Sequence, residues 1–485
     1  MLRLTLICFA VSFFEALSGQ EIINKEPIGW KDKDIELHTI RDQSGQQRAT
    51  FLVSEDSIRI FLLDQQDNIE KEFRIARING EEIRGGFIEQ AKIYLFCGYK
   101  FPRGLHNYVI NIPDGSITQN LVISQGGKEE VIDRMSAGNC FLVFSINRRP
   151  SEFVISKWSS PDSADMIRYP MDEKIWKDIT TYGGFSRSID IKKVDEAGLP
   201  DVAVAGSQRK LYLVHDTLFL LLNKDNGITE IFTFDIGSRA MSFRVIRNED
   251  VQIMRYGRVG DKKSGTEYIS GYAGYSDNSY LLDGKLYFVS ATSDRLHISI
   301  RDFYTEKELK KFAVEREDTN GMKNTPVIQE GQGWYGIGAV KELTKTKQLL
   351  RKMTAGNAVI AALEDSLGIA MTIGSNKEMQ QMGSGGGGSF MPGGSSPGGM
   401  VYVPSGGFSR STWTKSVRFR TLLDSNSLDH ISGDMEASVN DRIEAFTQFT
   451  KIPANAENLF FHDDHYVYIY YDKTLRSLFF SRFSK

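Results

Sequence analysis

Beyond residue 18 the sequence has no apolar stretch approaching the ~20 residues that a membrane-spanning helix needs, so nothing there predicts an integral membrane protein. Cysteine is nearly absent. Of three, Cys8 sits in the apolar start of the chain, which leaves Cys97 and Cys140. Charge of one sign is missing too: 59 Lys and Arg against 62 Asp and Glu give a formal net charge of -3. That provides no global basic field for nucleic acid, although local patches remain open. There is no Asn-x-Ser/Thr sequon. No Gly-x-Ser-x-Gly, His-Glu-x-x-His, Walker loop or dinucleotide fingerprint appears, and the seven histidines are scattered. No motif therefore names a reaction, and the expectation is a protein with no cofactor and no metal, a non-enzyme before an enzyme.

The start of the chain has a processing signature. Arg3 supplies a positive n-region, Leu4 to Phe14 a short apolar h-region, and Ala16-Leu17-Ser18 a small-residue site with cleavage before Gly19. Residues 1–18 thus predict export, to a periplasmic or extracellular location of bacterial type. Residues 19–33 read as a polar N-terminal extension, and 34–485 as one repeat array.

Within the array, strand-turn-strand units recur. Seven hairpins begin near Ala49, Lys92, Cys140, Lys210, Lys285, Ala358 and His465, each rich in aromatic and β-branched residues and bounded by Gly, Asn, Asp or Ser. Two-residue turns lead into four of them: Gly138-Asn139, Asp283-Gly284, Gly356-Asn357 and Asp463-Asp464. Two strings repeat in the same order. Arg134-Met135-Ser136-Ala137-Gly138-Asn139 returns as Lys352-Met353-Thr354-Ala355-Gly356-Asn357, and Gly183 to Ser188 returns letter for letter as Gly406 to Ser411. The third and sixth units therefore read as related by duplication. Residues 383–407 are a Gly/Ser/Met/Pro-rich stretch that cannot bury a core and reads as a flexible hairpin loop. The long connections 245–280 and 315–350 leave room for further strands.

Seven small antiparallel sheets in one chain resemble the β-propeller superfamily, over roughly residues 34–485 and at the level of architecture. Trp-Asp, kelch and Asp-box motifs are absent. The resemblance implies an all-β fold of about seven blades, closed by an N-terminal strand, Asp34 to Ile40, pairing with the C-terminal blade. In that frame Cys97 ends one strand and Cys140 begins the equivalent strand next door, ~17–20 Å away, too far to bridge. Tandem β-sandwiches are the main alternative. A membrane β-barrel fits poorly, because charges fall too often within the strands.

The candidate ligand-binding residues are Arg187, Arg239 and Arg410, which the repeated Ser-Arg loops would place on one face, with Trp334 and Trp413 near Gly-rich loops. Tyr272, Tyr275 and Tyr335 share that setting. The bland reading is solvated arginines and core aromatics. His462-Asp463-Asp464-His465 resembles a metal-binding group, but its acids align with an ordinary hairpin turn. Asp195 to Asp201 resembles the tail of a calcium loop of integrin-type propellers, with Lys193 and Ala197 at two ligand positions. The leading expectation is a binding or scaffold protein recognising a protein or a cell-surface glycan or other polymer. The alternative is a propeller enzyme, a hydrolase or lyase acting on a polysaccharide or small metabolite.

Overall fold

A computed structural model describes residues 20–484 apart from 32–33, 79, 100–103, 125–128, 174, 177–190, 195–201, 225–226, 249–274, 332–339, 366, 379–413, 448–449 and 454. The chain begins with β1 (Gln20–Pro27). Sheet 1 contains β2 (Glu36–Arg41), β3 (Arg48–Val53), β4 (Ser57–Leu63) and β5 (Ile69–Ala76). Sheet 2 contains β6 (Glu81–Glu89), β7 (Lys92–Tyr99), β8 (Gly104–Asn111) and β9 (Ile117–Ser124). Sheet 3 contains β10 (Glu129–Ala137), β11 (Cys140–Arg148), β12 (Ser151–Trp158) and β13 (Asp165–Pro170).

Sheet 4 is built from β14 (Lys192–Val194), then a short helix α1 (Val202–Ala205), then β15 (Arg209–Val214), β16 (Thr217–Lys224), β17 (Ile228–Asp235) and β18 (Ala240–Arg247). Sheet 5 has β19 (Tyr275–Leu282), β20 (Lys285–Thr292), β21 (Arg295–Asp302) and β22 (Glu308–Glu315). Next come β23 (Ile328–Glu330), β24 (Lys341–Glu342), α2 (Thr346–Met353), β25 (Asn357–Asp365), β26 (Gly368–Glu378) and β27 (Thr414–Leu423). Their order in sheet 6 is β24-β23-β27-β26-β25. Helix α3 (Val439–Thr447) leads to β28 (Glu457–His462), β29 (His465–Asp472) and β30 (Ser477–Ser484), which form sheet 7 with β1. Among the described residues all ladders are antiparallel except β14 on β15.

The apolar runs are unbroken because both faces of each sheet are covered, and side chains alternate between the two. On β4, Ile58, Ile60 and Leu62 join a core shared with sheet 2, while Phe61 and Leu63 join one shared with sheet 7. On β11, Cys140, Leu142, Phe144 and Ile146 face sheet 4, whereas Phe141 and Val143 face sheet 2. A further core runs through sheets 4, 5 and 6. Leu363 of sheet 6 packs against the aromatic core of sheet 7, where Tyr466, Tyr468, Tyr470 and Phe483 meet Val439 and Ile443 of α3.

Two sequence expectations change and a third is met. The strand that pairs with the C-terminal sheet is β1, from Gln20↔Phe483 to Pro27↔Ser477. It comes from the stretch read as an extension, while Glu36–Arg41 opens sheet 1 beside β3. Ile35 and Leu37 pack toward sheet 7, and the Leu37 amide donates to the Asn455 carbonyl at 2.8 Å in a single parallel bridge, but the ladder there goes to the earlier segment. Second, the twin strings differ in structure. Arg134 to Ala137 lie in β10 and Gly138-Asn139 turns the chain into β11, with Gly138 at φ 53°. Lys352-Met353 end α2, and Gly356 follows a helix. Thr346, Leu349, Leu350 and Met353 recur at helical spacing and bury one face, so the preceding residues decide the conformation. Third, the long connection before residue 350 does hold strands, β23 and β24.

Candidate functional site

Among the described residues, two mixed clusters of titratable side chains each bring at least three possible ligands together. The first joins the ends of the chain. His462 closes β28, His465 opens β29, and the two are cross-strand partners flanking the Asp463-Asp464 turn, with Asp463 at φ 52°. The turn expected from the sequence is present. What the sequence did not reveal is Asp67, from the turn between β4 and β5. It is fully buried, with Oδ2 3.3 Å from His462 Nδ1 and 3.0 Å from His465 Nε2. Its other oxygen is 2.7 Å from Nη2 of the buried Arg48. Arg482 Nη2 lies 3.6 Å from Oδ2, and Asn24 of β1 donates to the Asp67 carbonyl at 2.9 Å. Burial pushes the Arg48 guanidinium below its ordinary range, and Asp67 opposes that shift. With a guanidinium already on the carboxylate, these groups work as an ion-pair clasp between sheets 7 and 1 rather than as a cation cage.

The second cluster lies at one end of sheet 2. Cys97↔His106 and Glu81↔Tyr99 are cross-strand pairs. Side chains two apart on a strand share a face, so Glu81, Cys97, Tyr99, His106 and Tyr108 project together toward sheet 1. Glu81, Cys97 and His106 are all buried, with donor atoms within 4.8 Å of one another. His106 Nε2 contacts Glu81 Oε1. The other Glu81 oxygen accepts from the Ile78 amide at 3.1 Å and Tyr108 hydroxyl at 3.4 Å. Burial raises the Glu81 carboxyl, yet the bonds from His106 and the Ile78 amide outweigh it and hold the group below the usual carboxylate range. Burial and the adjacent Glu81 push the Cys97 thiol well up. Tyr108 is raised for the same two reasons.

Cys97 and Cys140 are unpaired and buried. Cys97 belongs to the core between sheets 1 and 2, and Cys140 to that between sheets 3 and 4, so sheets 2 and 3 separate them. Burial lifts the Cys140 thiol to about 11. Neither is a ready nucleophile.

Of the residues named for ligand binding, Arg187, Trp334, Arg410 and Trp413 lie outside the described residues, as do Tyr272, Tyr335, the loop 383–407 and the calcium-like Asp195 to Asp201. Arg239 occupies the β17–β18 turn at φ 59° and holds Asp165 Oδ2 at 2.8 Å, both side chains exposed. Tyr275 donates to Asp277 Oδ2 at 2.9 Å in a half-buried setting, which makes it a structural aromatic.

The anchors of the remaining three residues converge. Trp334 lies between β23 and β24, and Arg410 and Trp413 lie between β26 and β27. Glu330 pairs with Ser416, Gln329 with Lys341, and Lys377 with Lys415, so both connections depart from one edge of sheet 6. That edge is basic. Burial, followed by Lys415, Arg351, Lys341 and Lys377, holds the Lys352 ammonium below the ordinary lysine range.

No protein-family model and no curated protein sequence matches the chain. Among solved structures it is similar to the WD40 domain of SCAP from fission yeast, with 8% identity over 95% of this chain and 98% of that one, at a TM-score of 0.32. It is similar to the β-propeller domain of Nup133 from Vanderwaltozyma polyspora, with 8% identity over 70% and 80% and a TM-score of 0.29. The SapL1 lectin in complex with alpha methyl fucoside matches at 9% identity over 71% and 89%, with a TM-score of 0.24. In its own architecture, a succession of four- and five-stranded antiparallel sheets each sharing a core with the next, the chain resembles the β-propellers.

Proposed function

We propose that this protein is an exported, seven-bladed propeller serving as a binding or scaffold module, and that the basic edge of sheet 6 receives an acidic partner. The ring reading is supported by cores shared between successive sheets and by sheet 7, which contains both ends of the described chain. Export rests on the signature in residues 1–18, and N-terminal sequencing of the secreted protein should begin at Gly19.

The observation that carries the binding site is the joint anchoring of two connections, one bearing Trp334 and one bearing Arg410 and Trp413, beside Lys341, Arg351, Lys352, Lys377 and Lys415. Clustered ammonium and guanidinium groups at this edge suit a carboxylate-, sulfate- or phosphate-bearing partner, either a cell-surface polymer or an acidic protein surface. Mutual repulsion among these cations is relieved when an anion arrives. The test is retention of the full chain on a sulfated polysaccharide and on a neutral one. Binding only to the anionic matrix, weakened by salt and by Lys377→Glu with Lys415→Glu, is expected. Retention indifferent to salt and to both substitutions overturns the reading.

A further inference from the structure

Glu81 and His106 are buried polar groups beside Cys97 in the core between sheets 1 and 2, and none of the three belongs to the basic edge. They bring one oxygen, one sulfur and one nitrogen donor to a single buried point. We propose that they form a buried three-ligand site for a divalent transition metal of the zinc class, set between sheets 1 and 2, with the fourth position open to water.

The placement is specific. Three adjacent strands each contribute one ligand type, and the register puts all three on one face. Cys97 and His106 are directly opposite, and Glu81 follows the β5–β6 connection on the neighbouring strand. Their donor atoms lie within 4.8 Å of one another, and an ion shared at bond lengths of about 2.0 to 2.3 Å would take the place of the direct contact between Glu81 and His106. Sulfur and imidazole select this class of metal over magnesium or calcium, which take oxygen. Charge also balances: one thiolate and one carboxylate neutralise a divalent ion, which matters where all three residues are at most 3% exposed.

The second oxygen of Glu81 has partners of its own. The Ile78 amide and Tyr108 hydroxyl orient the carboxylate from outside, as outer ligands commonly do. Arg77 is a neighbouring cation. It is occupied with backbone oxygens, donating to Glu81 O at 2.8 Å through Nε and to Ser54 O through Nη1, so it fastens the end of sheet 2 to sheet 1 without taking the carboxylate. The other mixed cluster differs at this point, because Arg48 occupies Asp67 itself.

The experiment is refolding of the full-length protein from urea with Zn(II) or Co(II), followed by desalting. Metal content, the absorption spectrum and the unfolding temperature are then measured. The expected result is one ion per chain, with a near-ultraviolet thiolate-to-cobalt band and strong visible tetrahedral bands, and an unfolding temperature that falls when chelator replaces metal. Cys97→Ala and His106→Gln should lose the ion, whereas His465→Gln should keep it. If Cys97→Ala does not fold, the cobalt-thiolate band and the chelator response of the unaltered chain decide. The proposal is overturned if refolded protein retains no metal, if bound cobalt shows no thiolate band, or if a folded Cys97→Ala chain keeps its ion.

Discussion

Asp67 Oδ2 lies 3.0 Å from His465 Nε2, although 398 positions separate the two residues. The same carboxylate meets Arg48, which is 2% exposed. Removing one partner of such a pair strands the other charge in the core. Asp67→Ala is therefore expected to cost about 3–5 kcal/mol, read as a lower urea midpoint. An unchanged midpoint would mean that the clasp between sheets 7 and 1 contributes nothing to stability.

Gly374 marks a close approach between β26 and β27. A Cβ there would sit 1.8 Å from the Val417 carbonyl oxygen, backbone that cannot move without breaking the β26–β27 ladder. Gly374→Ala should destabilise by about 1–3 kcal/mol or more. At Gly321 an added Cβ meets nothing within 4 Å, and Gly321→Ala should stay within about 0.5 kcal/mol. Thermal melts of the two variants make the comparison, and equal melting temperatures would refute it.

Helix α3 supplies a pH dependence. Ser438 and Asp441 cap each other: the Ser438 amide donates to Asp441 Oδ2 at 3.0 Å, and the Asp441 amide to Ser438 Oγ at 3.3 Å. Arg420 Nη2 donates to Asp441 Oδ1 at 3.0 Å. Burial raises this carboxyl, but Arg420 and Ser438 outweigh it, so its folded value lies below the unfolded one. Its stabilisation is thus present above about pH 3.9 and is lost as pH falls through the folded value. The melting-temperature gap between the unaltered protein and Asp441→Asn should be open at neutral pH and close on acidification. A gap that persists in acid would show that the charge is not the source.

Much of the fold is legible in particular residues. Asp283-Gly284 reads as a hairpin turn and forms one, with φ of 45° and 64°, because positive φ is a local demand that Asp and Gly meet. The stretch Ala49 to Val53 reads as a strand, and all five residues are buried. Other features escaped. β1 lies in a polar segment whose strand character comes from a ladder to β30 more than 450 residues later. Lys352-Met353 copies Arg134-Met135 in charge and size, yet ends a helix, because Leu349 and Leu350 upstream set a different period.

The sites divide along the same line. The Asp463-Asp464 turn and the paired histidines around it belong to the sequence, since a two-residue hairpin puts its flanking side chains on one face. Asp67 meets them only because sheet 1 stacks on sheet 7, and no local pattern encodes which sheets stack. Cys97 was visible as a lone thiol. Glu81 and His106 reach it through the register of β6, β7 and β8, which a shift of one residue would send to the opposite face. Composition, alternation and turn chemistry thus determined the strands and their repetition. Long-range pairing and the burial it imposes decided which of their side chains became chemistry.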